Sequence, residues 1–476
     1  MTRIRGSPKT LQMADVRSLP PPNDSRALVR ELRALAGPAI ATSVLHTLVF
    51  AVDRAVLGHA AGPCLAAMQI AGNLEWSIAS VFSAFTVGTV ARAGFHLGAG
   101  APERARAVVR LSFAWAIGMG SLVAALGFFL AANLRVISPA ASEPVLAAAR
   151  AYLEPTLAVA PAQFLALTAL ATLQVHGDTR TPFVVGVATN AAHLVLVWAM
   201  ALGHLGFAAG GCAGAGRATA LTFLAEAVVL VLVVFARGLF RGASSIRSEQ
   251  HEFWRVAVPT FGERTLYHAG YVTFVAVIGR MGDVVMAANQ AMLTLEAMCW
   301  LSADGLGISA ASLGARLVGA GRVDDARRCA SLAARDAVAV LVSVGVLGWL
   351  FGDQLLPLVS NDPLVIAEAK RTLGMLLLVQ PFMAMGTVYG DALRGVGQTK
   401  VVLLVSSLSA LVVRVGAVTL FGPVLGLGLP GVWLGSTSDW IARTVAYLTL
   451  GRRTWAKLEA ESRARERAGN SLEVAA

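Results

Sequence analysis

The chain has 476 residues, of which 56% are hydrophobic and only 14% charged, and its mean hydropathy is +0.67. A soluble domain carries about a quarter charged residues, so this composition excludes a soluble globular protein and marks a polytopic membrane protein. The formal charge of +11 does not point to nucleic acid, because the basic residues are scattered through short loops and both tails without an aromatic-interleaved patch.

Residues 1–33 are polar and include Pro20-Pro21-Pro22, so the first hydrophobic span is expected to act as its own insertion signal. A helix needs about 20 apolar residues to cross the hydrocarbon. Twelve segments qualify. In the first half they lie near 34–58, 64–94, 106–131, 144–174, 181–203 and 211–236. In the second they lie near 255–279, 284–315, 328–352, 363–393, 400–421 and 430–451. Gly426-Leu427-Gly428-Leu429-Pro430-Gly431 spells a dinucleotide loop, but no strand precedes it, so it is read as the turn before the last span. Cys64, Cys212, Cys299 and Cys329 lack metal-ligand spacing and are read as small packing residues; no metal or cofactor is expected.

The two halves repeat each other. Gly58 matches Gly279 and Ala66-Ala67-Met68-Gln69 matches Ala287-Ala288-Asn289-Gln290, both at an offset of 221. Leu97-Gly98-Ala99-Gly100 corresponds to Val318-Gly319-Ala320-Gly321, Pro161 to Pro381, and Gly177-Asp178-Thr179-Arg180 to Gly397-Gln398-Thr399-Lys400. A period this long predicts two similar lobes with a site between them. The expected architecture is all-α: twelve transmembrane helices in two six-helix lobes, 34–240 and 255–451, joined by a linker 241–254 and flanked by tails 1–33 and 452–476. Six spans per half is an even number, so the repeat is parallel rather than inverted. Arginines concentrate in the amino tail, after spans 2, 6 and 8, and at Arg452 and Arg453, which predicts that both termini are cytoplasmic.

Several of these elements resemble the multidrug and toxic compound extrusion (MATE) family. They are Leu35-Ala36-Gly37-Pro38, Val52-Asp53-Arg54-Ala55-Val56-Leu57-Gly58, Gly98-Ala99-Gly100, Gly177-Asp178-Thr179-Arg180-Thr181-Pro182 and Leu393-Arg394-Gly395-Val396-Gly397-Gln398-Thr399-Lys400. The resemblance runs from about 34 to 451. It implies a two-lobed antiporter of the inner (plasma) membrane, a monomer in the bilayer and not an enzyme, that expels small amphipathic organic compounds against inward flow of protons or sodium ions.

Ionisable groups at membrane depth cost at least about 2.5–3.5 kcal/mol each, so each marks a partner or a pathway. Asp53 in span 1 stands where the family carries its amino-lobe carboxylate. Related cation sites add an Asn and an Asp in span 5 and a Thr in span 6. Here Asn190 precedes His193 and Val197 at those span 5 places, and Thr219 keeps the hydroxyl. A carboxylate is lost and a titratable imidazole gained, which favours protons over sodium. Glu75 and Glu296, 221 apart in spans 2 and 8, are candidates for an acidic wall facing a cationic substrate, together with Glu263 and Asp439. Helical rise places Arg414 near the depth of Asp439 and Arg443 near that of Glu263, beside Arg264, so two charge pairs at two depths are expected. Asp304 receives no role. The same three arginines leave open a flippase of a lipid-linked saccharide or peptidoglycan precursor, whose diphosphate they would meet. An intramembrane enzyme finds no support in paired metal ligands or a nucleophile motif.

Overall fold

Four helix ends that correspond between the halves close in the same way, and each uses a glycine. Gly100 and Gly321 have φ of 70° and 77°, and Gly177 and Gly397 have φ of 86° and 80°. After each glycine the next amide reaches back five residues: Ala101 to the His96 carbonyl at 2.9 Å, Arg322 to Leu317 at 2.8 Å, Asp178 to Leu173 at 2.9 Å and Gln398 to Leu393 at 2.8 Å. This bond satisfies an orphan carbonyl at a helix terminus and needs a left-handed residue, which glycine adopts without a steric penalty. The repeated glycine motifs are therefore repeated turns.

The computed structural model describes residues 19–58, 64–136, 142–242, 245–359 and 362–474. The amino-tail residues Arg3, Arg5, Lys9 and Arg17 lie outside them. Among the described residues every regular element is helical. The first half comprises α1 (Ser25–Gly58), α2 (Cys64–Gly98), α3 (Pro102–Ala132), α4 (Glu143–Ala158), α5 (Ala160–Val175), α6 (Arg180–Leu202) and α7 (Gly211–Ala236). The second comprises α8 (Arg247–Gly279), α9 (Asp283–Gly319), α10 (Val323–Leu350), the short α11 (Gly352–Val359), α12 (Pro363–Gly395), α13 (Thr399–Leu408), α14 (Val415–Thr419) and α15 (Gly428–Val474). π-Helical turns, Ser409–Arg414 and Leu420–Val424, join α13 and α14 into one continuous span.

Seven of these spans are long and apolar enough to cross a membrane by themselves. Two more are bent: α4 and α5 meet at 57° between Pro155 and Pro161, and α9 turns by 47° between Ala297 and Ser302. With the three more polar long helices α1, α8 and α15, the described residues form the twelve spans expected from hydropathy. These three overrun their expected limits, because hydropathy marks the hydrocarbon whereas a helix continues for as long as its surface is satisfied. Asp24 caps α1 by accepting from the Arg26 and Ala27 amides at 2.9 Å. Beyond residue 451, α15 carries the i,i+4 pairs Lys457–Glu461 and Glu459–Arg463.

Both described ends of the chain meet one turn. Arg322 donates to the Pro20 and Pro21 carbonyls at 2.6 and 3.1 Å, and Ser462 on α15 donates to the Gly321 carbonyl at 3.3 Å. The face carrying this turn is called here the terminal face. On it the halves exchange their leading helices. Leu28, Leu32, Leu35 and Ala36 of α1 belong to the apolar core built by α9, α10 and α12. Reciprocally, Phe253 and Ala257 of α8 belong to the core of Phe82, Phe85 and Phe164.

Between these exchanges α2 and α9 cross backbone to backbone. A Cβ on Gly98 would lie 1.8 Å from the Arg316 carbonyl oxygen, and one on Gly319 would lie 1.9 Å from that of Phe95. The two contacts are related by the 221-residue offset, so the pseudo-twofold axis of the repeat runs through this crossing. Neither atom can yield, since both are backbone. Gly98→Ala and Gly319→Ala should each lower the free energy of unfolding in detergent by ~1–3 kcal/mol as overpacking substitutions. Gly118→Ala, which meets nothing within 4 Å, should be neutral to within about 0.5 kcal/mol. Thermal denaturation of the three variants decides this.

Candidate functional site

Asp53 on α1 and His193 on α6 are brought together, 140 residues apart in the chain. Nε2 of His193 lies 3.0 and 2.9 Å from the two Asp53 carboxylate oxygens, and Nδ1 lies 3.1 Å from the Thr222 hydroxyl on α7. The imidazole is 5% exposed and the carboxylate 15%. Thr222 donates its own proton to the Ala218 carbonyl at 2.9 Å, one turn back along the helix. With that proton committed, the hydroxyl accepts from Nδ1–H. Nε2 can then approach a carboxylate oxygen only with a proton between them, as imidazolium and carboxylate or as imidazole and carboxylic acid. Thr222 thus holds the ring in register for its contact with Asp53.

A second constellation lies beside it. Tyr152 on α4 donates its phenol to Glu75 on α2 at 3.1 Å, and its oxygen is 3.4 Å from Thr219, which donates to the Ala215 carbonyl. Asp53 and His193 lie within electrostatic reach of Glu75. Of the four residues expected around the coupling ion, the geometry joins Asp53 to His193. It places Thr219 on Tyr152, and it turns the Asn190 amide onto the Gly186 carbonyl of its own helix at 2.7 Å. Val197 is buried among Leu57, Ala201 and Ala215.

In the second half, Asp439 on α15 is fully buried and accepts from Arg414 at 2.8 Å, from Arg443 at 2.9 Å and from Ser409. A regular α-helix sets residues five apart at about 140° to each other around the axis. Ser409 and Arg414 are five apart yet reach one carboxylate, because the π turn between them closes on the fifth residue. Trp440 lies beside both guanidiniums, at 5.9 and 5.0 Å, with Tyr267 flanking Arg443 at 5.7 Å. The expected Arg414–Asp439 pair is present. The expected pairing of Arg443 with Glu263 is not: one helical turn keeps Arg443 on Asp439, and Glu263 pairs instead with Arg394 of α12 at 2.6 Å. Matching depth along two helices did not count a third helix between them.

Arg394 also binds Asp391 at 2.5 Å. A Cβ at Gly307 would lie 2.2 Å from an Asp391 oxygen, so that glycine admits the carboxylate against α9. Asp304 on α9 accepts weakly from Ser43 of α1 at 3.5 Å and lies within electrostatic reach of Asp391, Arg264 and Arg394. Three carboxylates, Glu263, Asp304 and Asp391, thus face two guanidiniums, Arg264 and Arg394. Arg443 also lies within electrostatic reach of Glu263, so three guanidiniums offset the three carboxylates. Asp391 and Arg394 escaped the sequence reading although an acid and a base three residues apart in an apolar helix signal a buried pair. Thr222 and Tyr152 left no signal, being ordinary helix residues until the fold sets them beside an ionisable group. Glu296 is half-buried on α9 within electrostatic reach of Arg414. Among the described residues no group of three or more His, Cys, Asp or Glu has a metal-holding arrangement.

Two helical lobes joined by a parallel repeat, with buried charges in both and a closed seam on one face, define a transporter of the alternating-lobe class. The MatE family model matches residues 38–199 and 259–419, once in each half, and the chain belongs to that family. It is 27% identical over 423 residues to a probable multidrug resistance protein NorM of Thermotoga maritima, covering 88% of this chain and 91% of that protein. It is 25% identical over 437 residues to multidrug resistance protein PmpM of Pseudomonas aeruginosa, covering 87% and 85%. The fold is similar to an outward-facing MATE transporter of the MOP superfamily, with a TM-score of 0.83, 20% identity and 90% and 96% coverage. It is equally similar to a MOP superfamily transporter from Pyrococcus furiosus described by the reverse polarity of its binding pocket, with a TM-score of 0.84, 20% identity and 93% and 98% coverage.

Asp439 serves two arginines, so the two sides of its pair with Arg414 are unequal. Asp439→Asn strands two buried guanidiniums and should destabilise the protein by ~3–5 kcal/mol, whereas Arg414→Met leaves Asp439 still bound by Arg443 and should cost less. A double-mutant cycle on thermal stability in detergent should yield a coupling of roughly 0.5–3 kcal/mol, as expected for residues in contact. Additive losses would show that the two side chains do not meet.

Proposed function

We propose that this chain is a proton-coupled antiporter that exports small amphipathic organic compounds by alternating access between its lobes. The observation that carries this reading is the contact of Asp53 with His193. A proton joining that pair changes its net charge within a helix bundle, and a charge change in low dielectric favours one lobe arrangement over another only if the pair is bound differently in the two. The names of the related proteins support a drug-like substrate. Glu75 and Glu296 supply acidic groups for cationic compounds. Protons are favoured over sodium because Val197 offers no oxygen where a second carboxylate would stand, and the group that meets Asp53 is a titratable imidazole rather than a hard oxygen ligand. Two of the three arginines that a diphosphate would meet, Arg414 and Arg443, are engaged by Asp439, which leaves Arg264 alone for such a cargo and favours the drug-like reading.

The terminal face is read as cytoplasmic, with the protein in the inner (plasma) membrane as a monomer. A cysteine at Ser245, between α7 and α8, should resist impermeant maleimide in intact cells and react in inverted vesicles. Labelling from outside would reverse the orientation.

Substrate uptake into inverted vesicles should follow an imposed proton gradient, acid inside, and ignore a sodium gradient at equal pH. Asp53→Asn keeps the size but cannot cycle through a charge, so coupled uptake should fall to background while membrane insertion is unchanged. Sodium-driven uptake at clamped pH, or full activity in Asp53→Asn, would overturn the assignment.

A further inference from the structure

Each half clasps the other by its leading helix on the terminal face, and the two clasps differ in kind. In the first, Arg33 on α1 pairs with Asp336 on α10 at 2.7 Å, with the Arg33 side chain 62% exposed. In the second, Glu249 on α8 is fully buried. It accepts from Arg104 on α3 at 2.8 and 2.5 Å, from His96 on α2 at 2.8 Å and from Arg92 on α2 at 3.2 Å. All three donors belong to the first half of the chain and Glu249 to the second. Burial alone works to raise the Glu249 carboxyl, yet the bonds from His96 and Arg104 hold it below the usual carboxylate range, so it is ionised in this arrangement.

Exposed ion pairs are screened by water and contribute little, whereas a buried carboxylate with several charged donors is strongly held and costly to strand. The seam beside Glu249 is not filled by packing. A cavity of about 480 Å³ opens there, bounded by Arg92 and His96 on one side and by Gln398 and Leu458 on the other. Closure of this end therefore rests on the α2–α9 crossing, on the apolar faces of the two exchanged helices and on the Glu249 clasp.

We propose that Glu249 is the latch that keeps the lobes shut on the terminal face, and that releasing its donors is the step that opens the cleft to that side. This rests on the alternating-access reading. It also makes the two leading helices unequal: α8 carries the barrier and α1 follows.

The test reads opening directly and needs neither substrate nor proton gradient. In full-length protein with its four native cysteines replaced by alanine, Ser312→Cys places a thiol at the seam, where Ser312 is buried and donates to the Gln174 carbonyl at 2.8 Å. Its rate of maleimide labelling reports separation of the lobes. Glu249→Gln keeps the shape but loses the charge-assisted bonds, and should accelerate labelling at least about tenfold. Arg33→Ala should change it by less than about twofold. Arg104→Ala removes the most exposed donor and should give an intermediate acceleration. A native labelling rate in a folded Glu249→Gln protein, or an equal acceleration in Arg33→Ala, overturns the proposal. If Glu249→Gln does not fold, an unchanged rate in Arg104→Ala overturns it. Accelerated labelling in a protein that fails to couple protons would uphold the latch and reject the coupling assignment.

Discussion

The crossing of α2 and α9 is the constraint on which the rest depends. Two carbonyl groups, of Phe95 and Arg316, press against the Cα atoms of Gly319 and Gly98 around a pseudo-twofold axis. No side chain fits there, so the distance between the lobes at this end is set by backbone alone. Because the crossing is symmetric, each leading helix crosses over to the opposite half. This is why α1 lies in the core of the second half and α8 in that of the first. The seam is narrow, and much of its apolar contact is made by the two helices that cross over.

Charge is distributed unevenly on this symmetric frame. Asp439 is saturated by two arginines and a serine, and such a site holds helices together at the expense of chemistry. Glu263, Asp304 and Asp391 instead share Arg264 and Arg394, and Asp53 meets a histidine rather than an arginine. Repetition of the fold was therefore not repetition of the chemistry. Equivalent helices α1 and α8 carry a carboxylate near the opposite face in one case and near the terminal face in the other.

Hydropathy counted the spans because the cost of placing polar backbone and charge in hydrocarbon is local and large. The glycine turns were legible for a similar reason: Gly100, Gly177, Gly321 and Gly397 each answer to the conformation of one residue. Sequence also isolated Asp53, His193, Glu263, Arg414, Asp439 and Arg443 as costly residues, since an ionisable group in an apolar run is conspicuous whatever surrounds it. Depth counting found the Arg414–Asp439 contact although π turns interrupt the span that carries Arg414.

Which charge meets which was decided elsewhere. Glu263 meets Arg394 while Arg443 is held one turn away on Asp439, an outcome to which spacing along one chain is blind. The π turn that aims Ser409 and Arg414 at one carboxylate has no residue signature in an apolar span. Thr222 and Tyr152 acquire meaning only from neighbours 29 and 77 residues away. The sequence by itself determined the number of helices, their repeat and the positions where charge enters the membrane, because each is set by residue chemistry against a uniform solvent. The tertiary structure alone decided the pairings, the exchange of leading helices and the latch at Glu249, because these depend on distances between helices, which the hydrocarbon does not prescribe.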